Sequence, residues 1–378
     1  MGMSLTACLP HDFTDGAFIG RAQAADGPHV IVLESGRIRD ITGIASTVSG
    51  ALARGVPDGG AHRGKDLGAI EDGLPEGWEL LSPIDIQCVK ACGVTFAISA
   101  IERVIEERAR GDAGAAAEIR IGLEATIGAG IRAVVPGSDE AMALKQALIA
   151  QGMWSQYLEV AIGPDAEVFS KSPVLSTVGH GAPIGVRSDS SWNNPEPEVV
   201  LVVDPAGNAV GATLGNDVNL RDFEGRSALL LSKAKDNTAS CAIGPFIRLF
   251  DVGFGIDDVR RADVELVVEG QDNFRMEDTS RMTEISRDPL ELVRQTLSEH
   301  SYPDGFVLFC GTLFAPTQDR DEPGGGFTHK VGDRVTIRSE RLGTLTNTVT
   351  TSRDAPKWTM GIGAFMRNLA ARGLVDRA

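Results

Sequence analysis

Trp192-Asn193-Asn194-Pro195-Glu196-Pro197-Glu198-Val199-Val200-Leu201-Val202-Val203-Asp204-Pro205-Ala206-Gly207-Asn208 is the stretch on which the reading of this chain turns. Val199 to Val203 is apolar and mostly β-branched, and Asp204 to Asn208 is rich in turn formers. Together they predict a buried strand entering a tight turn. Residues two apart in a strand face the same side, so Glu196 and Glu198 project together from the strand's beginning. Two carboxylates that close repel each other unless a cation lies between them. Ala209 to Leu214 predicts a returning strand, and it ends at Gly215-Asn216-Asp217. A hairpin then brings Asp217 back beside the two glutamates. Three carboxylates without cysteine or histidine make a hard, all-oxygen site suited to Mg2+, with Mn2+ as the alternative.

Composition narrows the partners. The chain has 378 residues, of which 42% are hydrophobic and 23% charged, an ordinary balance for a globular protein long enough for two domains. A formal net charge of -16 argues against nucleic acid or an anionic membrane as partner. Cys8, Cys88, Cys92, Cys241 and Cys310 show no zinc-type spacing, and their odd number fits a reducing compartment. No apolar stretch is long enough to span a bilayer, and Met1 to Ala17 is broken by Pro10, His11, Asp12 and Asp15. The expectation is a cytoplasmic protein with a small-molecule substrate.

Short strands are expected at 18–21, 28–33 and 37–41, then a helix through Leu52 to Arg54 capped by Ser46 or Thr47. Asp58 to Gly77, which includes His62, reads as loop, making residues 1–80 a small β-rich N-terminal domain. Residues 81–378 form the second domain. It opens on a strand over Ile84 to Cys92, and helices follow at 99–110, 118–127 and 139–151, the last capped by Ser138. These helices read as an insertion over about 99–160. Later elements are strands at 264–269 and 305–312, a helix at 289–299 with Asp288 as N-cap, and a terminal helix at 363–372.

Beyond the hairpin come Asn216-Asp217-Val218-Asn219-Leu220-Arg221-Asp222, then Lys235, then Gly244-Pro245. With the paired glutamates, this succession resembles the fumarylacetoacetate hydrolase family. Phe169-Ser170-Lys171-Ser172-Pro173, Gly311-Thr312, Val331-Gly332-Asp333-Arg334-Val335 and Gly343 to Val349 resemble further segments of it, with Val331 replacing a proline. The resemblance covers roughly residues 84–349. It implies an α+β, β-rich fold: the family's mixed β-sheet roll with outer helices, here preceded by the small N-terminal β-rich domain. It also implies a homodimer or homotetramer.

The resemblance assigns Glu196, Glu198 and Asp217 to the metal. Aligning Phe96 with the family's tyrosine sets Ser99 where hydrolytic members carry a water-activating histidine, and Glu102 where they carry its glutamate. The missing histidine and the Trp192-Asn193-x-Pro-Glu-Pro-Glu segment look most like the family's sugar-acid dehydratases. That branch implies Mg2+-dependent dehydration of a 2-keto-3-deoxy-pentonate, with hydrolysis or decarboxylation of a 2,4-diketo or 2-oxo acid as the rival. Lys235 is the expected base, its neutral amine favoured by burial and a neighbouring divalent cation. Glu102 is the expected acid for the departing hydroxyl. Candidate substrate contacts are Arg187, His180, Lys171, Ser99, Glu224 and Thr312, and Arg221-Asp222 is expected to pair and orient the Asp217 loop.

Overall fold

A computed structural model describes residues 5–56, 63–110, 112, 114–116, 119, 131, 134–314, 316, 318–322 and 326–377. The N-terminal strands are β1 (Ala17–Ala24), β2 (Gly27–Glu34), β3 (Arg37–Asp40), β4 (Lys65–Ala69) and β5 (Glu79–Leu80). They are followed by β6 (Cys88–Gly93), β7 (Glu167–Ser172), β8 (Pro183–Val186), β9 (Asn193–Asn194), β10 (Pro197–Val203), β11 (Ala209–Asp217) and β12 (Asn219–Leu220). The last six are β13 (Cys241–Leu249), β14 (Asp263–Glu269), β15 (Arg275–Arg281), β16 (Phe306–Phe309), β17 (Arg334–Ser339) and β18 (Gly343–Thr351).

An 11-stranded sheet runs β4-β3-β2-β1-β13-β11-β10-β16-β6-β7, with β5 joined to β1. The N-terminal strands therefore continue the sheet of the larger part, through Phe18 opposite Arg248 and Ile19 opposite Ile247. β10 lies inside this sheet, which explains its unbroken apolar run. Val199, Leu201 and Val203 pack into one core, and Val200 and Val202 into the core on the opposite face. Each such side chain, fully removed from water, contributes about 1.5–3 kcal/mol of transfer free energy. The second sheet runs β15-β14-β17-β18-β8, and its strand β14 buries one face. That strand alternates accordingly: Val264, Leu266 and Val268 are buried, whereas Asp263, Glu265 and Glu269 are exposed.

Helix α1 (Val48–Ala53) begins at Thr47, whose hydroxyl accepts from the Gly50 N–H at 2.9 Å. Helices α2 (Ala97–Arg108), α3 (Asp139–Ala150) and α4 (Gln156–Ile162) form the outer layer, with Ser138 and Ser155 as N-caps of the last two. Short helices α5 (Arg221–Glu224) and α6 (Leu231–Lys235) follow β12. Asp288 caps α7 (Pro289–Leu297), and α8 (Ile362–Ala371) is the terminal helix.

Two expectations change. Residues 58–77 are not all loop: β4 pairs with β3 there, and a 3-10 turn spans Ile70–Asp72. The strand expected from Ile84 starts only at Cys88, because Asp85 serves α1, accepting from the Val48 N–H at 2.5 Å and the Ser49 N–H at 3.3 Å. Most of the helix expected over 118–127, and His62, lie outside the described residues. Among the described residues no helix is long and apolar enough to cross a membrane.

Candidate active site

The β10–β11 hairpin sets Glu198 opposite Gly215 and Pro197 opposite Asn216. The next pair closes where the Asp217 N–H donates to the Glu196 carbonyl at 3.1 Å. One carboxylate oxygen from each of Glu196, Glu198 and Asp217 lies within 4.8 Å of the others, and all three residues are buried. Two glycines make this geometry possible. A Cβ at Gly215 would stand 2.3 Å from the Phe309 ring, so β16 packs against the hairpin only because that position is bare. Gly311, at φ 88°, turns its N–H to Glu198 Oε2 at 2.6 Å. The all-oxygen donor set fits a hard divalent cation.

Three cations hold these carboxylates, and a fourth, Arg221, braces them through Glu106. Lys171 is fully buried beneath Asp217, with Nζ 2.7 Å from Oδ1, and it also donates to the Lys235 carbonyl at 2.6 Å. Lys235 Nζ lies 2.6 Å from Glu196 Oε2, 3.3 Å from Asp217 Oδ2 and 3.6 Å from Glu224 Oε1. Arg103, from α2, reaches Glu196 Oε1 at 2.9 Å and Glu106 at 2.8 Å, and also pairs with Glu224. Arg221 binds Glu106 at 2.6 Å and Glu102 at 3.2 Å while its guanidinium lies over the Trp192 ring.

Burial and these charges divide the carboxyls. Burial pushes Glu198 well above the usual carboxylate range, and Asp217 and Glu196 add repulsion. Burial also opposes ionisation of Asp217, but Lys171 and Lys235 outweigh it and hold that group below the usual range. Burial raises Glu224 to about 7 against the pull of Arg103 and Lys235. Glu167 is raised by burial too, against the pull of the same two cations. For Lys235, whose neutral amine is expected beside a divalent cation, the protein's own carboxylates act in the opposite direction. Burial favours neutrality, yet Asp217, Glu196 and Glu224 together raise its pKa and keep it charged.

The cleft over these ligands is lined by Ser99, Glu102, Glu224, Lys235 and Thr312 among the residues anticipated. Ser99 donates its hydroxyl back to the Phe96 carbonyl at 2.7 Å. Lys171 lies behind Asp217 rather than in the lining. His180 and Arg187 are placed elsewhere. His180 accepts from the Thr346 N–H at 3.2 Å, and Arg187 pairs with Asp189 at 2.7 Å beside the Phe223 ring. Arg221 and Asp222 do not pair with each other: Asp222 accepts from the Ser190 hydroxyl at 2.8 Å and the Ser191 N–H at 2.9 Å. Lys233 and Lys235 part company because their segment is helical, so Lys233 is exposed over Phe223 while Lys235 turns inward.

Arg103, Glu106 and Glu167 were not anticipated. The first two sit one and four residues beyond Glu102, a spacing that a helical reading of α2 makes available. Glu167 is on the same face of β7 as Phe169 and Lys171, so counting back by twos from the lysine reaches it. A Cβ at Gly93 would stand 2.0 Å from the Glu167 carboxylate, so the facing strand leaves that group its room. Cys92 also lines the cleft, but burial raises its thiol well above the ordinary range, unlike a nucleophile.

Residues 146–350, more than half of the chain, match the family model described as Fumarylacetoacetate (FAA) hydrolase C-terminal. The chain belongs to the fumarylacetoacetate hydrolase family. Among curated members, a probable 2-keto-3-deoxyxylonate dehydratase of Haloferax volcanii is 34% identical over 199 residues, 53% of this chain and 65% of that protein. A 2-dehydro-3-deoxy-D-arabinonate dehydratase of Saccharolobus solfataricus is 32% identical over 179 residues, 47% and 57% of the two chains. Each match spans less than two thirds of the relative. A solved structure of 2-keto-3-deoxy-D-arabinonate dehydratase, complexed with magnesium and 2,5-dioxopentanoate, superposes with a TM-score of 0.62 at 22% identity. It covers 89% of this chain and 99% of that one, a likeness of fold. In this family member the mixed sheets and the β10–β11 hairpin carry the carboxylate set.

Proposed function

We propose that this protein is a divalent-metal-dependent dehydratase of a 2-keto-3-deoxy sugar acid. The substrate is 2-keto-3-deoxy-D-xylonate or a stereoisomer, and the product is the semialdehyde of 2-oxoglutarate, as in non-phosphorylative pentose catabolism. The observation that carries the reading is a cleft pairing a three-carboxylate ligand set with a buried lysine and, among the described residues, no histidine. The dehydratase names of the two curated relatives support it.

Glu196, Glu198 and Asp217 would hold Mg2+, which supplies Lewis-acid polarisation of the 2-keto group. With Glu196 and Asp217 holding that ion, Lys235 would keep only one of its three counter-charges, Glu224. Burial and like charge then favour its neutral amine, which accepts a C3 proton. Glu167, whose carboxyl keeps its proton more readily than an exposed one, donates to the C4 hydroxyl, which departs as water. It is better suited to this than Glu102, which is ion-paired to Arg221. Loss of one C5 proton and of the C5 hydroxyl proton, with return of one proton each at C3 and C4, converts the resulting enone into the isomeric aldehyde. Lys235 and Glu167 both border the cleft from which those protons move.

Hydrolysis of a diketo acid needs a base for water, and Ser99 does not supply one. The test is a panel of 2-keto-3-deoxy sugar acids with Mg2+, read by mass. Loss of one water with appearance of an aldehyde supports the reading. Release of pyruvate or CO2, or full turnover in chelator, overturns it.

A further inference from the structure

Of the four cations around the ligand set, three are closed to solvent. The Lys171 side chain is 0% exposed, Arg221 2% and Lys235 4%, whereas Arg103 is 14% exposed and borders the cleft. The two ends of its guanidinium are bound differently. Nη1 is held by Glu106 at 2.8 Å and by Glu224, neither of which belongs to the ligand set. Among the described residues Nη2 has a single carboxylate partner, Glu196 Oε1 at 2.9 Å. Glu106 is itself anchored by Arg221 at 2.6 Å, so the Nη1 end is tied to the fold. Once Glu196 is committed to a metal, Nη2 is the one donor of this group left without its carboxylate. It remains positioned one hydrogen bond from the ligand set.

We propose that Arg103 anchors the substrate's carboxylate, exchanging Glu196 for it at Nη2 while Glu106 and Glu224 hold Nη1. This rests on the reading of the substrate as a 2-oxo acid. A planar guanidinium fork suits the exchange, because one carboxylate replaces another without movement of the side chain. The exchange also makes metal loading a condition for substrate capture. With Glu196 on the metal, the donor would face an anion adjacent to it. The residue therefore selects for an acid over a neutral 2-oxo compound.

The test compares wild type, Arg103→Gln and Arg103→Lys by calorimetric titration. Each is titrated with Mg2+ alone and, when Mg2+-loaded, with 2-oxobutyrate and with its uncharged methyl ester. 2-Oxobutyrate has no C4 hydroxyl to lose, so binding is read without turnover. Failure of the dehydratase reading would appear separately, as inert sugar acids with Arg103-dependent 2-oxobutyrate binding intact. The expected result is a loss of about 10–100-fold in 2-oxobutyrate affinity for Arg103→Gln, the range of a charge-assisted hydrogen bond. Arg103→Lys, keeping charge without the fork, loses less. Ester affinity and Mg2+ affinity stay within about threefold of wild type, well inside the change expected for the acid. Thermal melts establish that the variants are folded, and Arg103→Lys carries the comparison if the glutamine variant is not. Equal loss for acid and ester, wild-type binding of the acid in both variants, or a parallel collapse of Mg2+ binding would each overturn the proposal. The last outcome would leave Arg103 a residue that only positions Glu196.

Discussion

Replacing Lys171 by methionine keeps the length of the side chain and removes one buried charge. The lysine is fully buried, with Asp217 Oδ1 at 2.7 Å, the Lys235 carbonyl at 2.6 Å and the Val218 carbonyl at 3.4 Å. Breaking a buried pair from one side costs about 3–5 kcal/mol, because the partner's charge stays behind. Here Lys235 still stands 3.3 Å from Asp217 Oδ2 and shares the compensation, which sets the expectation at the lower end, about 3 kcal/mol. The pH dependence follows from the direction of the shift. Asp217 is held below the ordinary range in the folded wild type, so its stabilisation is present above the unfolded pKa. It is lost as pH falls through the folded one. The variant lacks most of this, so the wild-type advantage should be full at neutral pH and shrink below about pH 4.

Urea unfolding in chelator, compared at neutral and acid pH, measures that difference from midpoint and slope. Added Mg2+ should stabilise the variant more than wild type, because a like charge behind the ligand set is gone. A neutral-pH difference under about 0.5 kcal/mol, the scale of an ordinary surface substitution, would refute the reasoning. So would a gap that widens on acidification.

Four further outcomes are expected. Gly311→Ala places a Cβ 2.0 Å from Thr95 Oγ1 at φ 88° and displaces the N–H from Glu198, so Mg2+ affinity should fall and stability drop by about 2 kcal/mol, measured by calorimetry and melts. Lys235→Met should bind Mg2+, lose about 10²–10⁴-fold in turnover, and stop exchange of substrate C3 hydrogens with deuterated water; exchange at the wild-type rate would point to another base. Asp333, paired with Arg320 at 2.7 Å, is lowered to about 2 with burial opposing and Arg320 prevailing, so Asp333→Asn should cost about 2 kcal/mol at neutral pH, a gap that closes from about pH 4 to 2 in acid unfolding curves. An acylpyruvate should be cleaved far more slowly than a sugar acid is dehydrated, in a coupled pyruvate assay, because Ser99 stands where a base for water would be.

The parts legible in the sequence were those whose geometry is local. The β10–β11 hairpin needs only an apolar run, a turn and a return, so its register brought Asp217 to Glu196 without knowledge of the rest of the fold. Helices with side-chain caps, at Thr47, Ser138 and Asp288, were local too. Arg103, Glu106 and Glu167 were not, because what brings them to the hairpin is long-range. β6 lies parallel to β16 with β7 on its far edge, an order that no local signal specifies. Arg187 had a local carboxylate, Asp189, two residues away, and that pairing holds it outside the cleft.

The charges around Lys235 were hidden for a different reason, and the reason bears on mechanism. A divalent cation favours the neutral amine, but three carboxylates within 4.8 Å of one another cannot stay buried together without counter-charge. The fold provides it from Lys171, Lys235 and Arg103, each bonded to a ligand carboxylate. Both oxygens of Glu196 already carry a cation, Arg103 on one and Lys235 on the other. A cation bound there would take Glu196 from partners it already has. Lys171 keeps its place because two backbone carbonyls also hold it. Lys235 and Arg103 are the groups that lose carboxylates, and both border the cleft. The base and the anchor proposed here are thus poised by one event, the binding of a cation that would take up Glu196 and Asp217.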